Sequence, residues 1–266
     1  MITSRQNRKI KDIRRLRRSK DDRALLEGPH LIAEALEAGV ALEYALVTPE
    51  LLASAEGAAM AAALASRCLL DEVPAELLAA GADADAPQGV AAVAALPRGG
   101  AEALPLVAAG RYLYVDGVQD PGNLGALARV AEAAGASGMA CGRGCAHPNH
   151  PRALRASAGS LLRLPVGWRV GAAGLDERLR ALQPRWVSLV AHGGEPLWTA
   201  ALDGALVLAV GAEGSGLGPE AAARADLALR IPLAAPVESL NVATAAAVAL
   251  FEICRRRAEL SAPSPP

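Results

Sequence analysis

The sequence predicts an α/β protein built from two consecutive α/β domains, and three observations lead there. Strand-like runs alternate with helical ones over residues 21–96, and the alternation restarts at residue 111. Between them "PRGGAEALPLVAAG", residues 97–110, has the Pro, Gly and small residues of a linker. The 266 residues are 52% hydrophobic, mostly Ala, Leu and Val, and only 3% aromatic. That composition suits helices packed closely on sheets and excludes an aromatic stacking platform for bases. The expected boundaries are 1–100 and 108–260, with 261–266 a disordered tail.

Each element follows from a local pattern. Ser4 is placed to cap a first helix in which Ile10, Ile13 and Leu16 share one face. "ALLEGPHLIAEALEAG" reads as a strand, a Gly-Pro turn, and a helix from about His30 to Gly39. Strand "LEYALVT", one long helix opening at Pro49, strand "CLLD", the short helix "PAELLAAG" and strand "QGVAAVAAL" complete the first domain. In the second, "RYLYV", "GMACG", "RLPVGW", "WVSLVAH", "ALVLAVG" and "LALRIPL" read as strands. The helices among them are the one after Asp120, "PRALRASAGSLL", "GLDERLRALQ", a short one at Pro219, and a long one from about Ser239 to Glu259.

Charge and cysteine usage narrow the function. Net charge is -1, yet residues 1–20 hold nine Lys/Arg (Arg5, Arg8, Lys9, Lys11, Arg14, Arg15, Arg17, Arg18, Lys20) against one acid, Asp12. A basic arm on an acidic body fits a polyanion, most simply nucleic acid; its bland alternative is a solvated helix face. Four cysteines do not make a disulfide framework. No apolar run is long enough to span a bilayer, and no apolar core follows the basic N-terminus, so a cytoplasmic protein without membrane attachment is expected.

Three loops, each following a strand, carry the candidate chemistry; open parallel sheets bind ligands at the carboxyl ends of their strands. The first, "DGVQDPGNLGALAR", sets Asn123 as a possible helix cap and Arg129 six residues on. The second, "VGAEGSGLGPE", has glycines at 211, 214, 216 and 218 and one carboxylate, Glu213. Its spacing is neither a dinucleotide fingerprint nor a Walker A loop. In the third, "IPLAAPVESLNVATAAAVALFE", Ser239 or Asn241 can cap the last helix, and Val242, Ala246, Ala249, Leu250 and Ile253 share a face.

In order and spacing these three loops resemble the three signature motifs of the SpoU/TrmH family of SPOUT-class RNA ribose 2'-O-methyltransferases. "HPRALRASAGSLLRLPV" matches the pattern between the first two motifs, and "EGPHLIAEALEAG" resembles the small L30e-like substrate-binding domain that many members carry. The resemblance implies a SPOUT α/β-knot fold in the second domain, with a mostly parallel sheet and a trefoil knot. It implies S-adenosyl-L-methionine as cofactor, RNA (rRNA over tRNA) as partner, and a homodimer formed through the knotted domain. Asn123, Arg129, Glu213, Ser239 and Asn241 are then the catalytic candidates. Gly211, Glu213, Gly214, Ile231, Leu240 and Asn241 are the cofactor candidates, and Arg8, Lys9, Lys11 and Arg155 the substrate-binding ones. A non-catalytic RNA-binding member and a dinucleotide-dependent enzyme are the competing readings; the intact motif residues argue against the first and the loop spacing against the second.

One further cluster competes. "CGRGCAHPNH" brings together Cys141, Cys145, His147 and His150, which are zinc-ligand types. The two residues between the histidines are fewer than the usual three to five, so no metal is expected.

Overall fold

In the computed structural model, residues 1–18, 22–83 and 88–261 are described. Lys20 of the basic arm and residues 262–266 of the expected tail lie outside them. The chain divides into two compact units: Met1–Pro97 with His147–Arg163, and Arg98–Ala146 with Leu164–Pro266. The segment 147–163, read from sequence inside the 108–260 stretch, therefore packs with the first unit.

The first unit runs α1 (Arg8–Leu16), β1 (Arg23–Glu27), α2 (Pro29–Glu37), β2 (Leu42–Val47), α3 (Pro49–Leu52), α4 (Ala55–Ala65), β3 (Leu69–Glu72), α5 (Ala75–Gly81) and β4 (Val90–Ala95). Its sheet has the order β1-β4-β2-β3. β4 is antiparallel to both neighbours, while β2 and β3 are parallel. As the periodicity predicts, Ile10, Ile13 and Leu16 are buried, packed with Leu25, Tyr44, Leu46, Leu78 and Val93. Each such side chain contributes roughly 1.5–3 kcal/mol by leaving water. α1 approaches α5 so closely that a Cβ on Gly81 would lie 2.3 Å from Ile13 Cδ1.

Two local expectations are corrected here. Asn7, not Ser4, caps α1, its side chain accepting from the Lys9 amide. The long helix at Pro49 is two helices, because Ser54 accepts from the Gly57 amide and starts α4 afresh.

The second unit begins with β5 (Arg111–Val115), α6 (Pro121–Ala133) and β6 (Gly138–Cys141). The chain returns to the first unit for α7 (Pro151–Ala156) and α8 (Ser160–Arg163). The single helix expected there is broken by Ala158 (φ 46°) and Gly159 (φ 90°). α7 packs on β1, and Arg155 is held within this unit: Nη1 donates to Glu27 Oε2 (2.5 Å) and Nη2 to Asp83 Oδ2 (2.9 Å).

The second unit then continues with β7 (Val166–Trp168), α9 (Ala172–Leu179), β8 (Arg185–Leu189), β9 (Glu195–Pro196), β10 (Leu206–Val210), α10 (Pro219–Arg224), β11 (Leu227–Arg230) and α11 (Val242–Ser261). These strands form a sheet in the order β7-β6-β5-β10-β8-β11-β9, parallel throughout. β10, "LVLAV", is buried at every position, as a strand covered on both faces should be. Trp186 of β8 is fully buried, its indole donating to Asp176 (3.0 Å) and its ring 5.5 Å from that of Tyr114. The strand order reverses direction between β5 and β10, and the carboxyl ends there open the crevice in which such sheets bind ligands. Among the described residues no helix is long and apolar enough to cross a membrane.

Charge also fixes α1. Arg23 donates to both oxygens of Asp12 (2.8 and 2.6 Å) and Tyr44 Oη adds a third hydrogen bond (3.0 Å). Led by the Arg23 hydrogen bonds, these contacts hold the Asp12 carboxyl below its ordinary range against the opposing effect of burial. A lowered folded value means stability that is present above the unfolded value of about 3.9 and lost as pH falls through the folded one. Asp12→Asn should therefore flatten the fall in urea midpoint between about pH 5 and 3; an unchanged pH slope would contradict the assignment.

Candidate active site

Three strand-end loops of the second unit supply the site. After β5, Asp120 caps α6: its Oδ1 accepts from the Asn123 amide (2.8 Å), with Pro121 at the first helical position. The sequence offered Asn123 as that cap. With Asp120 in the role, the Asn123 side chain is released to reach across the crevice. Asp116, at the head of the same loop, accepts from the Gly218 amide (2.8 Å) and so ties this loop to the one after β10.

After β10 the chain folds back on itself at once. Ala212 and Gly216 exchange hydrogen bonds of 3.1 and 2.9 Å, which leaves Glu213 at the tip of a tight turn. Only glycine fits at 211, since a Cβ there would lie 2.0 Å from the Gly216 carbonyl carbon. Gly214 and Gly216 take φ of +88° and +67° with open space where side chains would be, so a ligand can approach their backbone.

The third loop leads into α11, which Asn241 caps: its Oδ1 accepts from the amides of Ala243 (2.9 Å) and Thr244 (3.3 Å). That fixes the orientation of the amide, because the oxygen must face the helix and the Nδ2 must face outward. Nδ2 then donates to Glu213 Oε1 (2.9 Å) and to Asn123 Oδ1 (3.0 Å), and Asn123 Nδ2 donates to the same Glu213 oxygen (3.0 Å). Three side chains from three loops close a ring around one carboxylate oxygen.

Two cavities meet at this ring. The larger, about 550 Å³, is lined by residues 189–192 at the end of β8 and just after it, by 210–216 at the end of β10, by Ile231 and Leu233, and by Glu238, Ser239, Leu240, Val242 and Ala245. Its volume lies in the ordinary range for a small-molecule site. The second, about 480 Å³, is lined by residues 116–120, Asn123 and Gly218. Ala212, Glu213, Ser215 and Gly216 line both, so the turn after β10 is the wall between them.

Of the cofactor candidates, Gly211, Glu213, Gly214, Ile231 and Leu240 line the larger cavity, with the catalytic candidate Ser239. Asn241 lines neither cavity and acts on the wall through Glu213 and Asn123. Arg129 stands apart: it is exposed on α6, with no hydrogen bond or ion pair among the described residues. Six helical residues place it about 9 Å further along the axis from Asn123 and on another face. Of the substrate candidates, Lys9 is engaged with Asp71 (2.5 Å) and Arg155 with Glu27 and Asp83, while Arg8 and Lys11 are exposed.

Sequence reasoning missed the stretch 189–192, Leu233, Glu238, Val242 and Ala245. A strand end followed by Gly193-Gly194 was the available signal for the first; the others face the cavity only because the chain returns there.

The cysteine–histidine cluster has other work. Burial pushes the Cys141 thiol well up and Cys145 up to about 11, and Cys145 Sγ donates to the Val115 carbonyl (3.2 Å). His147 and His150 each accept a backbone amide at Nδ1, from Asn149 and Arg152. Among the described residues no group of three or more such side chains is placed to hold a metal ion.

A parallel sheet with adjoining ligand cavities at its reversal point, and no phosphate loop, defines an α/β enzyme domain that binds a small molecule beside a second, polar pocket. The chain belongs to the SpoU rRNA Methylase family, whose sequence model matches residues 110–251; residues 7–92 match the MRM3-like substrate binding domain. It is 32% identical to the 23S rRNA (guanosine(2553)-2'-O)-methyltransferase RlmP of Bacillus subtilis, over 95% of this chain and 98% of that protein. Among solved structures it is similar to an AdoMet-bound rRNA methyltransferase from Sinorhizobium meliloti, at 29% identity, 96% and 97% coverage and a TM-score of 0.82. The SpoU methyltransferase AviRb from Streptomyces viridochromogenes shares the fold, with a TM-score of 0.88 at 24% identity over 97% of this chain and 100% of that one.

The turn makes a sharp test possible. Gly211→Ala should cost about 1–3 kcal/mol through overpacking against Gly216 and Leu217. Gly214→Ala, strained by its φ but sterically open, should cost about 1 kcal/mol. Urea unfolding of both variants checks the order; equal costs, or the reverse order, would mean the turn is not packed as described.

Proposed function

We propose that the protein transfers a methyl group from S-adenosyl-L-methionine to a ribose 2'-hydroxyl of rRNA. The observation that carries this is the Asn123–Glu213–Asn241 ring on the wall between two cavities. One cavity suits the donor and the other the acceptor nucleotide. The larger cavity fits the cofactor in size and in chemistry: apolar side chains for a purine face, backbone groups of a glycine turn for its edges, and a carboxylate at the far wall. Gly211, Gly214, Ile231, Leu240 and the stretch 189–192 would hold it, and when bound it supplies an electrophilic methyl on sulfonium sulfur.

This chain's own residues then orient and stabilise. Asn123, on the wall of the acceptor cavity, directs the ribose by hydrogen bonding, and Glu213 fixes Asn123 while adding negative charge beside the donor cavity. Ser239 borders the same space. Orientation of oxygen and carbon in line supplies much of the rate. A guanidinium is a poor base, because its delocalised charge holds the proton tightly. Arg129 therefore serves as a charge-stabilising group at the developing alkoxide or the adjoining phosphate.

The exposure of Arg129 favours its delivery to the site of a second copy in a homodimer through the knotted unit. Phe251, half exposed on α11, the helix that packs on α6, fits such an interface. The threading of the final segment belongs to this reading and is supported by the insertion of β10 between β5 and β8. A cytoplasmic location belongs to it too.

Arg129→Ala should lower methylation about 100-fold or more while calorimetric binding of S-adenosyl-L-methionine survives. Unchanged turnover would remove Arg129 from the chemistry. Mixing Arg129→Ala with Glu213→Ala protomers should restore activity if the arginine crosses the interface, because one site of each mixed dimer then has both groups intact. No restoration in verified mixed dimers would place it within one protomer.

A further inference from the structure

We propose that Glu238 holds the α-ammonium group of S-adenosyl-L-methionine, and holds the product S-adenosyl-L-homocysteine by the same group. This rests on the reading of the larger cavity as the site of the methyl donor.

The charges on the cavity wall lead there. S-adenosyl-L-methionine brings a sulfonium, an ammonium and a carboxylate, which leaves it a net cation. Among the described residues no lysine or arginine lines the cavity; its ionisable side chains are His192, Glu213 and Glu238. A cleft lined by acids without bases concentrates cations. The two acids are not equivalent. Glu213 Oε1 accepts from Asn123 and Asn241, and Glu213 lines both cavities. Glu238 has no hydrogen bond or ion pair among the described residues, and it lines the larger cavity but not the second. One acid is built into the dividing wall; the other is uncommitted and lies on the donor side of it.

Stereochemistry decides which charge each acid meets. A sulfonium is pyramidal, and its methyl, adenosyl and methionine arms diverge from the sulfur. Transfer requires the methyl to face the wall and the second cavity past it. The methionine arm then leads away from the wall and carries its ammonium, several bonds from sulfur, toward residues that line the donor cavity alone. Glu238 is the only carboxylate among the described residues in that group.

The backbone around Glu238 is held at both ends. The Val237 amide donates to the Ala234 carbonyl (3.1 Å), closing a turn just before Glu238. Asn241, on the other side, is fixed by its cap of α11 and by its bond to Glu213. The side chain therefore extends from a short, anchored segment, which limits the ordering cost of engaging a ligand. Carboxylate and ammonium form a charge-assisted hydrogen bond. Loss of the methyl leaves the ammonium unchanged, so the contact serves donor and product alike. It adds uniform binding and does not lower the barrier to transfer.

The test is calorimetry on the full-length protein, wild type and Glu238→Gln, with three ligands. These are S-adenosyl-L-methionine, S-adenosyl-L-homocysteine, and the deaminated analogue of the latter, which keeps the carboxylate but has hydrogen in place of the amine. Glu238→Gln should raise the Kd of the first two by about tenfold each, the scale of one lost hydrogen bond to a charged group. The deaminated analogue should bind variant and wild type within about twofold, which also reports an intact cavity in the variant. An unchanged Kd for S-adenosyl-L-methionine overturns the assignment. Equal weakening of all three ligands overturns it too, because Glu238 would then only shape the wall. Weakening of S-adenosyl-L-methionine without S-adenosyl-L-homocysteine overturns it by placing the carboxylate at the sulfonium. Wild-type protein that binds none of the three overturns the donor-site reading itself.

Discussion

Everything at the candidate site depends on one oxygen atom. Glu213 Oε1 accepts from Asn123 and from Asn241, and through it the loops after β5 and β10 and the start of α11 are drawn to one point. Hydrogen bonds to a charged acceptor are stronger than neutral ones, and here two neutral amides share it. Each amide is itself constrained. Asn241 is oriented by the helix it caps, and Asn123 is freed for the contact because Asp120 caps α6 instead. The wall between the two cavities is therefore set by helix-capping chemistry as much as by the residues that line it.

The sheet explains why these loops can meet. Its strand order turns back between β5 and β10, so two adjacent strands deliver loops that diverge onto different helices. The crevice so formed needs no insertion to open it. Gly211 then lets the chain reverse within five residues, which holds Glu213, though exposed, at the crevice. The same economy governs the first unit, where small residues such as Gly81 admit α1 to the core and acids at its inner edge absorb the nearest cations.

Much of this was legible in the chain alone. The period of Ile10, Ile13 and Leu16 marked the buried face of α1, the apolar runs marked the parallel strands, and the three loops announced themselves by composition and position. What was not legible had local causes. Asp120 and Asn123 are both good caps three residues apart, and only packing decides between them. Ser54 and the Ala158-Gly159 pair interrupt helices within runs of otherwise helical residues. The segment 147–163 joins the first unit because Arg155 finds Glu27 and Asp83, acids far away in sequence. The cavity lining beyond β8 depends on backbone, which residue identity does not reveal. Arg129 matched a motif by spacing, yet spacing does not place its side chain, which α6 leaves exposed and away from Asn123.

A crystal structure of the full-length protein with S-adenosyl-L-methionine tests the central claim most directly. The account predicts the cofactor in the cavity bounded by residues 189–192 and 210–216, with its methyl group directed past Glu213 toward Asn123. Density for the cofactor elsewhere, or a bound state in which the Asn123–Glu213–Asn241 ring has opened and moved away from the methyl group, would contradict it.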